Sequence, residues 1–277
     1  MTYNALYQWG TKQLQEADIE EAALDARLLL EEVCKTERSY LLVHGENPVT
    51  QEQQECYVNF ITKRSRHIPL QHILGYQDFM GLRFRVSPDV LIPRQDTETL
   101  VEEVMRYLHD GMHILDLCTG SGCILLSLLK YSNDCVGVGV DISEKALRVA
   151  KENGELLDLN AEWVCSDLFE KIEGKFEVIV SNPPYIPSDV IPALMEEVRE
   201  HDPLLALDGK EDGLFFYRKI IAQAEKYLYP GGMLFFEIGY DQAEAVSGYM
   251  RDAGYKEVTV YKDLAGLDRV VAGRFGG

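Results

Sequence analysis

Basic residues are scarce in this chain. There are 27 lysines and arginines against 46 aspartates and glutamates in 277 residues, a formal charge of −19. Such a surface repels free nucleic acid, whose phosphates need clustered cations, so no direct nucleic-acid partner is expected. No apolar run approaches the length of about 18 residues that a spanning helix needs, so no membrane partner is expected either. The first residues, MTYNALYQWG, lack a basic stretch followed by an apolar core, so no secretion signal is read and the expected compartment is the cytoplasm. The six cysteines, Cys34, Cys56, Cys118, Cys123, Cys135 and Cys165, form no CxxC pair, and the six histidines show no HExxH spacing. No metal is therefore expected, and scattered thiols in a cytosolic chain read as small core residues.

What is present divides the chain in two. Its length allows more than one core. Residues 1–94 hold 10 basic against 13 acidic residues, and residues 95–277 hold 17 against 33. Residues 4 to about 67 read as helical: Ile19, Ala22, Ala23, Ala26, Leu29, Leu30 and Val33 form one stripe at spacings of three and four. Thr50 with Gln53 resembles a capping box opening a helix, which Pro69 is expected to stop. The cluster Lys63-Arg64-Ser65-Arg66-His67 reads as a solvated helix end, where cations suit the dipole; the alternative is a docking patch. Leu82, Phe84 and Val86 alternate with arginines after a glycine turn, which predicts a hairpin near 76–86.

From about residue 95 strands and helices alternate. Strands are expected at 113–117, 136–140, 162–165, 177–181 and 233–238, with helices around 122–131, 143–154 and 212–228. The pattern predicts an α/β fold, a parallel sheet with helices on both faces. Two closing strands, 256–262 and 268–274, are too near each other for anything but an antiparallel pairing. The expected division is a helical domain over 1–72, a hairpin linker over 73–94 and the α/β domain over 95–277. The helical part carries no reactive constellation and reads either as a small bundle or as a substrate-recognition domain. Monomer is the expected state.

Candidate site residues cluster at strand ends, where open α/β sheets bind ligands. The first parallel strand ends in Asp116-Leu117-Cys118-Thr119-Gly120-Ser121-Gly122. This loop is neither GxGxxG nor a phosphate loop with its lysine, and it suits an adenosyl amino acid better than a pyrophosphate. Asp141 ends the next strand, about 20 residues on, placed to accept hydrogen bonds from both ribose hydroxyls; its alternative is a helix cap. Asp167 is placed for an adenine amine and Leu168 for the ring face, unless they form an ordinary turn. The fourth strand runs into Asn182-Pro183-Pro184-Tyr185, where Asn182 borders both cofactor and substrate. An amide or aryl amine nitrogen attacks poorly because its lone pair is delocalised. Two carbonyl acceptors, the Asn182 side chain and the Pro183 backbone, would hold both N–H bonds and favour the more positive nitrogen of the transition state. Pro184 fixes the conformation of the residue before it, and Tyr185 offers a face for stacking on a planar group. The alternative is a structural proline-rich turn. No general base is evident, and none is required if the product loses its proton to water.

These motifs, with the closing antiparallel pair, resemble class I methyltransferases, and over essentially the whole length the chain resembles the HemK/PrmC family. The resemblance extends to Leu91-Ile92-Pro93-Arg94-Gln95-Asp96-Thr97-Glu98, Asp212-Gly213-Leu214, and Phe236-Glu237-Ile238-Gly239 with Gln242. Cys118 departs from it where glycine is frequent, and Gln95-Asp96 where Pro-Glu is frequent. The resemblance implies a helical N-terminal domain on a seven-stranded methyltransferase domain. It implies S-adenosyl-L-methionine as methyl donor, S-adenosyl-L-homocysteine as product, and class 1 peptide chain release factors as partners. The methylated atom would be the side-chain nitrogen (N5) of the glutamine in their Gly-Gly-Gln motif. The rival expectation is another planar nitrogen, an exocyclic amine of a nucleic-acid base or a glutamine of a ribosomal protein. A non-catalytic adaptor on the same fold would have lost Asn182 or Asp141, and both are present.

Overall fold

Of the stripe from Ile19 to Val33, Ala22, Ala26, Leu29 and Leu30 form the buried face of the helix Ala22–Cys34; Ile19 is buried just ahead of it, Val33 is half-buried and Ala23 is exposed. The structure, a computed structural model, describes residues 1–276. They divide into two compact units: residues 1–75 with 195–201, and residues 76–194 with the chain from 202 onward. Among the described residues, no helix is long and apolar enough to cross a membrane.

The first unit is built of the helices Tyr3–Glu16, Ala22–Cys34, Arg38–His44, Gln51–Arg64, Leu70–Leu74 and Glu196–His201. Leu6, Leu14, Ala26, Leu29, Leu30, Tyr57 and Ile61 form its dry centre; burying a large apolar side chain contributes about 1.5–3 kcal/mol. Tyr57 donates its hydroxyl to the Ala26 carbonyl at 3.0 Å, which satisfies the one polar atom of a large buried ring. The capping box forms as expected: Gln53 N–H donates to Thr50 Oγ1 at 3.1 Å and Thr50 N–H to Gln53 Oε1 at 2.9 Å. That helix ends at Arg64 rather than at Pro69, which instead caps the short helix Leu70–Leu74.

Arg64 corrects the reading of its cluster as solvated. Its Nε donates to Asp25 Oδ2 at 2.6 Å, its Nη2 to Glu197 Oε1 at 2.6 Å and its Nη1 to the Ile68 carbonyl at 3.3 Å. The Arg64 and Asp25 side chains are each 7% exposed, whereas Lys63 and Arg66 stay in solvent. Burial raises the Asp25 pKa even though Arg64 pulls it down.

The second unit opens with the hairpin β1 (Tyr76–Phe79) and β2 (Leu82–Arg85), turned at Met80-Gly81 with both φ positive, as a two-residue hairpin turn requires. A seven-stranded sheet follows. Its strands are β3 (His113–Leu117), β4 (Val136–Asp141), β5 (Glu162–Cys165), β6 (Phe176–Ser181), β7 (Leu228–Glu237), β8 (Lys256–Lys262) and β9 (Asp268–Arg274), in the spatial order β5-β4-β3-β6-β7-β9-β8. β3 to β7 pair in parallel, and β9 runs antiparallel to both its neighbours. Strand alternation sends Val178, Val180, Met233 and Phe235 to one face, under the helices Glu98–Met105 and Cys123–Tyr131. It sends Ile179, Leu234 and Phe236 to the other, under Phe215–Ala224 and Ala243–Asp252. β7 begins five residues earlier than its periodicity suggests, because pairing jumps from Phe176–Leu228 to Val178–Met233 across a bulge. The strand order reverses between β3 and β6, so their carboxyl ends open a crevice.

Candidate active site

The loop after β3 is shaped from beneath. Thr119 N–H donates to the Val140 carbonyl at 2.9 Å, joining the ends of β3 and β4. The Thr119 hydroxyl donates to Asp116 Oδ2 at 2.6 Å. Asp116 is fully buried, and burial pushes its pKa up to about 7. Asn153, also fully buried, donates to the Ser121 carbonyl at 2.9 Å and to the Arg85 carbonyl at 3.1 Å, and accepts from Arg85 N–H at 2.7 Å. It therefore fastens both the loop and the hairpin to the helix Glu144–Leu157. Gly122 caps the helix Cys123–Tyr131 at φ +78°, and a Cβ there would lie 2.9 Å from the Trp163 ring. Its glycine answers to packing below the loop. Cys118 takes φ +60° and Leu168 φ +48°, a region costly for side chains with a Cβ; a glycine at position 118 would adopt it freely.

Asp141 ends β4 with its carboxylate already anchored. Oδ2 accepts from Gly120 N–H and Oδ1 from Ser143 N–H, both at 2.9 Å. The cap of the following helix is Ser143, whose hydroxyl accepts from Ala146 N–H at 3.2 Å. Burial raises the Asp141 pKa, and the backbone amides pull it back. Each carboxylate oxygen retains a lone pair for a further donor. Asp167 lies 3.7 Å from Lys219 Nζ, with part of its carboxylate in solvent.

At the end of β6 the Ser181 hydroxyl donates to the Leu117 carbonyl at 2.7 Å, which ties the two central strands together where they part. Asn182 Nδ2 donates to Thr97 Oγ1 at 3.4 Å. Burial raises the pKa of the nearby Glu237 carboxyl to about 7, while Thr97 and Asn182 lower it. The nitrogen of the Asn182 amide is thus engaged by Thr97. Among the described residues no donor engages Asn182 Oδ1 or the Pro183 carbonyl. The Tyr185 carbonyl accepts from Gln242 Nε2 at 3.0 Å, and its phenol pKa is raised by burial first and by the Glu237 charge second.

A cleft of about 320 Å³ gathers Cys118, Thr119, Gly120, Ser121, Asp141, Asp167, Leu168, Asn182 and Pro184. Gly122, Pro183 and Tyr185 do not line it. Other lining residues fall outside the strand-end motifs: Val90, Arg94 and Thr97 ahead of β3, Ile142 after Asp141, and Pro203, Leu205, Phe215 and Phe216 beyond β6. Ile142 had a signal, an apolar residue between a strand-end acid and a helix cap; it is 57% exposed. The stretch 203–206 carries none, because its place in the cleft is purely tertiary.

Two family models match: the PrmC N-terminal domain over residues 5–75 and the methyltransferase small domain over residues 95–200. The chain is 42% identical over 271 residues to the release factor glutamine methyltransferase of Clostridium acetobutylicum, covering 95% of each chain. It is 41% identical over 276 residues to the protein of that name from Geobacter sulfurreducens, covering 99% of this chain and 97% of the other. A solved methyltransferase structure from Pyrococcus furiosus shares the fold, with a TM-score of 0.55 at 19% identity over 71% of this chain and 90% of that one. With near-full-length identity of this order to curated relatives, the chain belongs to the release factor glutamine methyltransferase family.

Proposed function

We propose that this enzyme transfers the methyl group of S-adenosyl-L-methionine to the side-chain amide nitrogen (N5) of the glutamine in the Gly-Gly-Gln motif of class 1 release factors, in the cytoplasm. The observation that carries this reading is the pair of unengaged carbonyl acceptors, Asn182 Oδ1 and the Pro183 carbonyl, at the end of β6. Two acceptors side by side suit a primary amide, which presents two N–H bonds.

The residues of the cleft fit the cofactor. Asp141 keeps acceptor capacity for ribose hydroxyls after meeting its two amides. Ile142 and Leu168 supply apolar walls for a flat base, and Asp167 offers an acceptor for its amine. When bound, S-adenosyl-L-methionine supplies a methyl group on a cationic sulfur and leaves as S-adenosyl-L-homocysteine. The protein's own part is orientation. Thr97 holds the Asn182 amide by its nitrogen, which leaves its oxygen for the incoming N–H. Holding the nitrogen in line with the methyl group removes much of the entropic barrier, and the acceptors stabilise the charge it gains. The product proton leaves to water.

The helical part, residues 1–72, serves in this reading to recognise the release factor. Its helix Arg38–His44 leaves Leu42 and Val43 76% and 77% exposed, apolar surface of a kind that suits a protein partner. Incubation with isotope-labelled cofactor and purified release factors, followed by peptide mass mapping, is expected to place one methyl group on the Gly-Gly-Gln glutamine. Label on another residue, or on ribosomal protein or nucleic acid alone, would overturn the assignment. In calorimetry, Asp141→Ala is expected to weaken cofactor binding by about 1.5–3 kcal/mol, the scale of hydrogen bonds to a charged acceptor. Unchanged affinity would remove Asp141 from the ribose site.

A further inference from the structure

Gln242 is nearly buried, lies outside the cleft, and uses its whole amide. Its Nε2 donates to the Tyr185 carbonyl at 3.0 Å and to the Gly213 carbonyl at 3.3 Å. Its Oε1 accepts from Gly239 N–H at 3.0 Å and from the Tyr217 hydroxyl at 3.3 Å. The Tyr217 hydroxyl lies 2.9 Å from the Glu237 carbonyl as well, so one side chain joins the end of β7 to the proline-rich loop and to the segment 209–213. That segment approaches Tyr185 closely. Gly213 has φ +70°, and a Cβ on it would sit 2.3 Å from the Tyr185 oxygen; one on Gly209 would sit 2.8 Å from Tyr185 Cα. Beyond Tyr185 the chain is fixed again, with Ile186 N–H donating to the Leu207 carbonyl at 3.0 Å and Gly209 N–H to the Ile186 carbonyl at 2.8 Å.

We infer that Gln242 is a positioning residue for methyl transfer: by holding the Tyr185 carbonyl it sets the direction of the Pro183 carbonyl and the place of Asn182. This inference rests on the reading of those two carbonyls as the substrate's acceptors. The stretch between fixed points is short. Ser181 is pinned to the Leu117 carbonyl at one end and Tyr185 to Gln242 at the other. Of the three residues between, two are prolines with φ locked near −65°. Few dihedrals remain, so displacing Tyr185 turns the peptide planes that carry the acceptors. Gln242 does not line the cleft, so its loss shifts the acceptors without removing any of them.

The test compares wild type with Gln242→Met, Gln242→Glu and Gly213→Ala. It measures single-turnover methylation and, separately, affinity for S-adenosyl-L-homocysteine. Gln242→Met keeps the length and loses all four hydrogen bonds. The expected result is a single-turnover rate lowered about 10- to 100-fold, the scale of a misplacement near 1 Å, with product affinity within about twofold of wild type. Gly213→Ala keeps the Gln242 side chain but puts a Cβ 2.3 Å from the Tyr185 carbonyl oxygen and 2.9 Å from Gln242 Nε2, which disturbs the same junction from the other side, and it is expected to reproduce the loss of rate. Gln242→Glu keeps the shape and the acceptor oxygen. Ionised, it offers no donor to either carbonyl; protonated, it regains one. Its rate relative to wild type is therefore expected to rise as pH falls, while Gln242→Met stays low throughout. Rates within twofold of wild type in Gln242→Met and Gly213→Ala overturn the inference. So does a parallel collapse of rate and product affinity in all three variants, because that marks a role in general folding. If wild type itself modified another planar nitrogen and no release factor, the proposed substrate would fail while the ratio of variant to wild-type rate on that nitrogen still tested Gln242.

Discussion

Asn182→Ala is expected to lower the single-turnover rate of methyl transfer by about 10²–10³, the usual loss when one preorganised partner of the transition state is removed. Asn182 is the side chain in its loop that can accept an amide proton, and its nitrogen donates to Thr97. Alanine removes the acceptor and that tie. Cofactor affinity is expected to change far less than the rate, because in the proposed arrangement the oxygen serves the substrate. Asn182→Asp is the sharper comparison. Its carboxylate still accepts a hydrogen bond, so it should exceed alanine in rate, but it can no longer donate to Thr97 and it adds charge beside Glu237. A single-turnover rate for Asn182→Ala within about threefold of wild type, under about 1 kcal/mol of barrier, would return the loop to a purely structural role.

The second large effect lies in the helical unit. Arg64→Met is expected to destabilise it by about 3–5 kcal/mol, because removing one partner strands a buried charge. Asp25 is the residue stranded: its side chain is 7% exposed, whereas that of Glu197 is 29% exposed and can hydrate. With Arg64 present, burial already raises the Asp25 pKa; without it, nothing in direct contact opposes that rise. The double variant Asp25→Asn with Arg64→Met carries no isolated charge at this point and should recover much of the loss. Urea unfolding, with amide exchange followed in Ala22–Cys34 and Gln51–Arg64, measures both. Equal losses below about 1 kcal/mol in single and double variants would show the ion pair to be dispensable.

The parts of this protein legible in its sequence are those governed by local rules. The helical stripe, the capping box at Thr50, the hairpin at Met80-Gly81 and the strand ends at Asp141 and Asn182 each carry their signal within a few residues. The family resemblance brought in Thr97, Glu237 and Gln242 as motif members without saying what they touch. What escaped was set by distance in the chain. Arg64 looks like any helix-end cation until residues 25 and 197 are seen beside it. The cleft wall at 203–206 has ordinary composition. Gly122 looked like a ligand-facing glycine, but Trp163, some 40 positions later, explains it. β7 starts ahead of its apolar run because Leu228 pairs with Phe176 before a register shift, across Pro230-Gly231-Gly232, which carry no strand signal.

The placement of residues 195–201 in the first unit has a consequence during synthesis. Glu197 follows Arg64 by 133 positions, so at translation rates of about 5–20 residues per second it emerges roughly 7–27 s later. Through that interval the helical unit, which leaves the ribosome ahead of the second, has only Asp25 and the Ile68 carbonyl for its buried guanidinium, and its sixth helix does not yet exist. The amino-terminal unit therefore begins folding ahead of the second but cannot finish until β3 to β6 have been made.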